Sequence, residues 1–218
     1  MLEKIVLYFM CFMIYSFLGW SIEVIQGLIK NNQFVNRGFL IGPVCPIYGC
    51  GVLLMISLLS KYKSDFLTLF IMSMVIFTIL EYFTSYIMEK IFKARWWDYS
   101  NRKYNINGRV CLETMLPFGL LGVFTMYVFH PFLLKILLLI NKKVLLIISI
   151  ILLFVFLLDN IISYYIIFKY KVTLNNSSKD ATIQINNKVK KILLSKTFYN
   201  RLKSAFPDAR IIRKKKVK

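Results

Sequence analysis

GFLIGPVCPIYGCG, residues 38 to 51, places four glycines and two prolines in fourteen positions, between long apolar runs on both sides. Glycine and proline break regular helix, and inside a bilayer the backbone groups they free must find partners in protein or trapped water. Residues 38 to 48 therefore predict a loop or half-helix dipping into protein, with regular helix resuming near Tyr48. Such a break exposes amide N–H groups and a positive dipole end, which suits an anion or a carbonyl. An alternative stays open at this point: Gly38 and Gly42 form a GxxxG pair that lets two helices approach closely.

The surroundings decide the class. The chain has 218 residues, 58% of them hydrophobic, and a mean hydropathy of +0.62, which excludes an ordinary soluble domain. Crossing about 30 Å of hydrocarbon takes ~20 mostly apolar residues. Windows of that kind fall at 5–29, 39–60, 66–89, 112–130 and 144–168, predicting an all-α bundle of five spans, the second of them broken. The first window is longer than a signal-peptide core and lacks a small-residue cleavage site, so it is expected to be retained. Residues 131–140 (PFLLKILLLI) are too short to cross alone and follow a proline, predicting an interfacial continuation of span four after a break at His130. No internal repeat is evident.

Charge orients the bundle. With five spans, the loops at 30–38 and 90–110 share a side with the C-terminal tail, and up to residue 179 that side carries eleven Lys/Arg against six on the other. The positive-inside rule then predicts a cytoplasmic C-terminus. Of the net charge of +19, +13 lies in residues 169–218, which hold 15 Lys/Arg against Asp180 and Asp208. The anionic leaflet is the nearest polyanion, so membrane lipid rather than nucleic acid is the expected partner. Within the tail, 171–174 and 182–186 alternate like strands of a short hairpin. Val189, Ile192, Leu193, Tyr199, Leu202 and Phe206 then follow helical spacing among lysines, the pattern of a basic amphipathic helix.

Chemistry-bearing residues are few. Cys11, Cys45, Cys50 and Cys111 form no CxxC pair, and His130 is the only histidine. Neither a zinc site nor any other cofactor is expected, and the thiols read as packing residues. No GxxxxGK[ST] loop is present, so ATP, if used, binds to another chain. Without a nucleophile or metal motif, the chain is not expected to be an enzyme.

Acids within spans each need a reason, since insertion costs ~2.5–3.5 kcal/mol at the centre of a helix. Glu81 is the acid most deeply placed in span three. Ser16, Trp20, Glu23 and Gly27 share one face of span one, directing Glu23 toward the bundle. Asp159, Asn160 and Ser163 form a polar turn in span five, while Glu89 and Glu113 sit near span ends. Arg37 and Arg109 are the natural counter-ions, so the expected network pairs Glu23 and Glu81 with Arg37 and Arg109, either locking the bundle or serving binding or proton coupling. In ARWWDYSNRKYNINGRVCLE, residues 94–113, Trp96, Trp97 and Tyr99 read, like Trp20, as interfacial anchors. Asp98, Asn105, Asn107, Gly108 and Arg109 can fix the loop or bind a polar group.

SFLGWSIE (16–23), NRGFLIGPVCPIYGCG (36–51), Glu81, WWDYS (96–100) and NINGRVCLE (105–113) together resemble the ABC transporter permeases of the CmpB-like, type IV group over residues 10 to 135. NRLKSAFPDAR (200–210) resembles the ending of one clostridial branch. Phe118 departs from the pattern, standing where many relatives are expected to carry Trp. The residues matching the pattern are Trp20, Glu23, Arg37, Gly38, Gly42, Pro43, Cys45, Pro46, Tyr48, Gly49, Gly51, Glu81, Trp97, Asp98, Tyr99, Asn107, Gly108 and Arg109. The resemblance implies a membrane transport subunit for a small solute, completed by a separate ATPase or by further copies of the chain. A membrane scaffold or regulatory protein, and then an intramembrane enzyme, are the alternatives.

Overall fold

The computed structural model describes residues 1–31, 34, 36, 38–92, 94–176 and 210–211. Helix α1 (Leu2–Asn31) has 30 residues and is about 45 Å long at 1.5 Å per residue. Helix α2 (Pro46–Leu59) has 14 residues and reaches about 21 Å, short of the hydrocarbon thickness. Pro46 opens α2, where its missing N–H leaves no bond unmade. The preceding residue, Cys45, donates its backbone N–H to Ser16 O at 2.9 Å, so α2 begins beside the middle of α1. It then runs back antiparallel to the first half of α1, with Gly49 against Ser16 and Phe12 and Gly19 against the Tyr48 ring.

The break is thus real, and its helix resumes at Pro46. Gly38 and Gly42 lie outside any helix. Gly38 takes φ +146°, a conformation closed to most side chains. The close helix approach belongs instead to Gly49 and Gly51, the latter under the Phe77 ring.

After a tight turn at Ser60–Tyr62, helix α3 (Phe66–Phe92) crosses back. Helices α4 (Leu112–Phe124) and α5 (His130–Leu139) are joined through Thr125–Phe129 by a π-helical turn, giving one continuous span over Leu112–Leu139. The expected break at His130 and the interfacial placement of 131–140 are therefore corrected. A proline clashes with the carbonyl four residues back, and the wider π turn immediately before Pro131 relieves that clash without ending the helix. Tyr15 on α1 hydrogen-bonds His130 Nδ1 there (3.1 Å).

Helix α6 (Lys142–Asn176) makes the last crossing. It takes up residues 171–174, so the first strand of the expected hairpin is helix instead: nothing in its sequence breaks the helical run before Asn175. Residues 182–186 and the expected amphipathic helix at 189–206 lie outside the described residues. Among the described residues, four helices are long and apolar enough to cross a membrane, with α2 a shorter apolar helix beside them. Val6, Met10, Met55, Leu69, Met126 and Leu137 lead the core at the end where α1 begins.

At the opposite end, two short strand pairs follow α3. Strand β1 (Ala94–Arg95) pairs antiparallel with β4 (Arg210–Ile211), bringing the end of the tail beside α3. Strands β2 (Asn105–Ile106) and β3 (Val110–Cys111) form a hairpin whose two turn residues, Asn107 (φ +53°) and Gly108 (φ +66°), are both left-handed. Arg109 N closes the turn onto Ile106 O at 3.0 Å, the tight hairpin for which Asn-Gly is the strongest short signal.

Candidate functional site

The polar residues gather in three connected groups at the tail end of the bundle. In the first, two carboxylates from different helices are each held by a tyrosine. Glu23 on α1 accepts from the Tyr48 hydroxyl of α2 at 2.6 Å. Glu81 on α3, 7% exposed, accepts from the Tyr99 hydroxyl at 3.2 Å and from Thr114 Oγ1 of α4 at 3.5 Å. The two acids and two phenols lie within electrostatic reach of one another. Burial, and then the charge of Glu81, push the Tyr99 phenol far above its ordinary value, so Tyr99 stays protonated and donates. A cluster of acceptors and hydroxyls like this offers groups to a cation, a proton or a hydrogen-bond donor on a solute.

Arg109 belongs to the second group. It is buried, and its Nη1 meets Glu89 Oε2 at 2.9 Å and Ser85 Oγ at 3.2 Å. The guanidinium carbon lies 5.7 and 5.4 Å from the Tyr82 and Tyr86 ring centres, an aromatic setting that favours the planar guanidinium of Arg over Lys. This corrects the expected partnership of Arg109 with Glu23 and Glu81. Arg37, the other expected counter-ion, lies outside the described residues. Tyr82, Ser85, Tyr86 and Glu89 fall at i, i+3, i+4 and i+7, so one stripe of α3 receives the arginine. That spacing is a signal present in the sequence alone. The loop fixes the depth of Arg109: Trp97 Nε1 donates to Arg109 O (2.9 Å), Tyr99 N to Gly108 O (2.8 Å) and Asn107 Nδ2 to the Tyr82 hydroxyl (2.9 Å). Asp98 caps the neighbouring turn by accepting from Ser100 N at 3.0 Å. Glu113 pairs with Arg102 at the exposed rim.

The third group is the broken loop. Its amides are occupied by the chain itself: Ile41 N donates to Asp159 Oδ1 and Gly42 N to Asp159 Oδ2, each at 3.0 Å. Asn36 bridges the loop to α1, accepting from Trp20 Nε1 at 2.7 Å and donating to Ile41 O at 2.8 Å. Pro43 and Cys45 lead from here into α2. The expected anchor Trp96 is 6% exposed and packs on Phe39 and Phe92, each ring centre 5.9 Å away. Phe39 and Phe92 in turn meet Tyr164 at 5.1 and 6.0 Å, so the aromatic cluster ties the loop to α3 and α6. Trp97 and Tyr99 also turn inward, to partners in protein.

The family model described as "Putative ABC-transporter type IV" matches residues 10–164, a stretch that spans all three groups. The chain belongs to this family. No curated protein and no solved structure matches it. Membership and the four long apolar helices make this member of the type IV ABC-transporter family a multi-pass membrane protein, a transport component of the membrane. The match stops short of the basic tail, and with it of the 200–210 stretch. Phe118, where many relatives are expected to carry Trp, stacks on Phe77 with ring centres 5.5 Å apart, a packing role in which no indole N–H is needed.

Proposed function

We propose that the chain is the membrane-embedded subunit of a small-solute transporter whose path runs through the Glu23/Glu81 cluster, with a separate ATPase subunit supplying the energy. The observation that carries this reading is the meeting of two carboxylates from α1 and α3 beside the interrupted span. A bundle held only by packing has no need to place two acids there, and polar groups at membrane depth mark solute paths as a rule. Tyr48, Tyr99 and Thr114 would orient the acids, and the cluster is read as a passage rather than an enzyme centre. Family membership supports the ATPase partner, since no phosphate-binding loop is present in this sequence. The balance of eleven Lys/Arg against six supports a cytoplasmic tail end, with the basic tail on the anionic leaflet of the plasma membrane and further copies of the chain completing the path.

The test is gentle purification of the tagged chain from its native membrane and mass spectrometry of what stays bound. A stoichiometric nucleotide-binding subunit, lost transport in Glu81→Gln and an unchanged melting temperature are expected. An intact phenotype in a folded Glu81→Gln protein removes the cluster from the path. That result would favour a scaffold or regulatory role, a reading supported by the way Asp159 satisfies the loop amides from within.

A further inference from the structure

The clamp between Asp159 and the broken loop has an asymmetry. Successive amides of Ile41 and Gly42 each give one hydrogen bond to the two oxygens of a single carboxylate at 3.0 Å. Ser163 Oγ joins them, accepting from Ile41 N and donating to Asp159 Oδ1, both at 3.1 Å. A Cβ at Gly42 would stand 2.8 Å from Asp159 Oδ2, so only glycine admits the carboxylate this closely.

The receiving loop has anchors besides α6. Trp20 fixes Asn36, Asn36 fixes Ile41 O, and Cys45 N is fixed on Ser16 O. Helix α6 meets the loop through Asp159, Ser163 and the Tyr164 ring against Phe39, and of the four long spans it has the smallest buried share of its apolar window, 11% against 28–33%.

We propose that the paired amides of Ile41 and Gly42 are an anion-binding site, that Asp159 is its displaceable resident, and that a carboxylate- or phosphate-bearing ligand takes its place and frees α6. Exchanging one carboxylate for another leaves the amides equally satisfied, so the exchange costs the desolvation of the arriving anion and the contacts that α6 makes at the loop. The arriving anion also repels Asp159, favouring separation of α6 from the loop. The site is separate from the Glu23/Glu81 cluster, whose acceptors suit a cation or a hydrogen-bond donor, and the inference goes beyond the transport reading by giving the broken span an anionic ligand of its own.

The test uses the full-length chain in phosphatidylcholine nanodiscs, with acetate and inorganic phosphate as probes. Removing the resident opens the site: Asp159→Ala is expected to bind at least one probe about tenfold more tightly than the wild type. Segment 38–45 should exchange its amides faster in that variant and regain protection when the probe is added. Asp159→Asn, which keeps the size and one acceptor, is expected to fall between and serves if the alanine variant does not fold. Protection regained in phosphatidylglycerol nanodiscs without added probe would support the site and identify its ligand as a lipid headgroup. If neither variant binds more tightly than the wild type in either lipid, the proposal is overturned and Asp159 is a structural cap. Transport through Glu81 is read out separately and would stand or fall by its own test.

Discussion

Arg109→Ala should be among the most damaging single substitutions in the chain, and the structure sets its size. The guanidinium and Glu89 are 8% and 18% exposed, and removing one partner of a buried pair costs about 3–5 kcal/mol, the lower end applying where water reaches one side. The Ser85 hydrogen bond adds about 1 kcal/mol, and the two tyrosine faces about 0.5–1 kcal/mol each. Because these terms share one side chain they do not add in full, and about 4 kcal/mol is expected. For a chain of this size each kcal/mol moves the melting temperature by about 2–4 °C, so tryptophan fluorescence of the purified protein should show a drop of about 8–16 °C. Arg109→Lys keeps the charge and loses the planar face stacked on the two tyrosines, and should fall about halfway. A drop below 3 °C for Arg109→Ala would refute the claim that this pair locks the loop to α3.

Gly49→Val should cost about 3 kcal/mol through overpacking, since any Cβ there meets Ser16 and the Phe12 carbonyl; thermal unfolding reads it, and a loss under 1 kcal/mol contradicts the packing. Gly42→Ala should push the Asp159 carboxylate off the loop and speed amide exchange in 38–45 at least threefold, while Gly51→Ala, under Phe77, should leave that segment unchanged. Asp65 heads α3, accepting from Thr68 N at 3.1 Å and Thr68 Oγ1 at 2.6 Å, and those bonds hold its pKa below the ordinary carboxylate value. A lowered value means that its contribution is full above the ordinary carboxylate range and is lost as pH falls through that range and below. Exchange at the Thr68 amide should accordingly rise below about pH 4 relative to its intrinsic rate, and Asp65→Ala should abolish that pH dependence.

The break in the second span was legible because it depends on local chemistry: Gly38, Gly42, Pro43 and Pro46 fall too close together for a regular helix to run through GFLIGPVC. The alternation of crossings was equally legible, since length and apolarity decide it. The partner of Arg109 was not. Glu81 and Glu89 are both acids of α3, eight residues and about 12 Å apart along its axis, and charge alone cannot choose between them. The choice is made by the depth at which the loop carries Arg109, and that depth comes from a hairpin turn at Asn107–Gly108 whose left-handed residues fold β3 back over α3. The Asn-Gly pair was visible as a turn signal, yet its consequence appears only when Trp97, Asn107 and Tyr99 fasten the loop to the helix. The same holds for the loop amides at 38–45. Sequence exposes them as an anion site, while the identity of the anion, a carboxylate 117 residues further along the chain, follows from where α6 comes to rest. A glutamate left to two hydroxyl donors while the arginine goes elsewhere is not what structural locking requires. By drawing Arg109 onto Glu89, the hairpin keeps it off Glu81, which among the described residues accepts from Tyr99 and Thr114 and is freer to change partners than a carboxylate held in an ion pair.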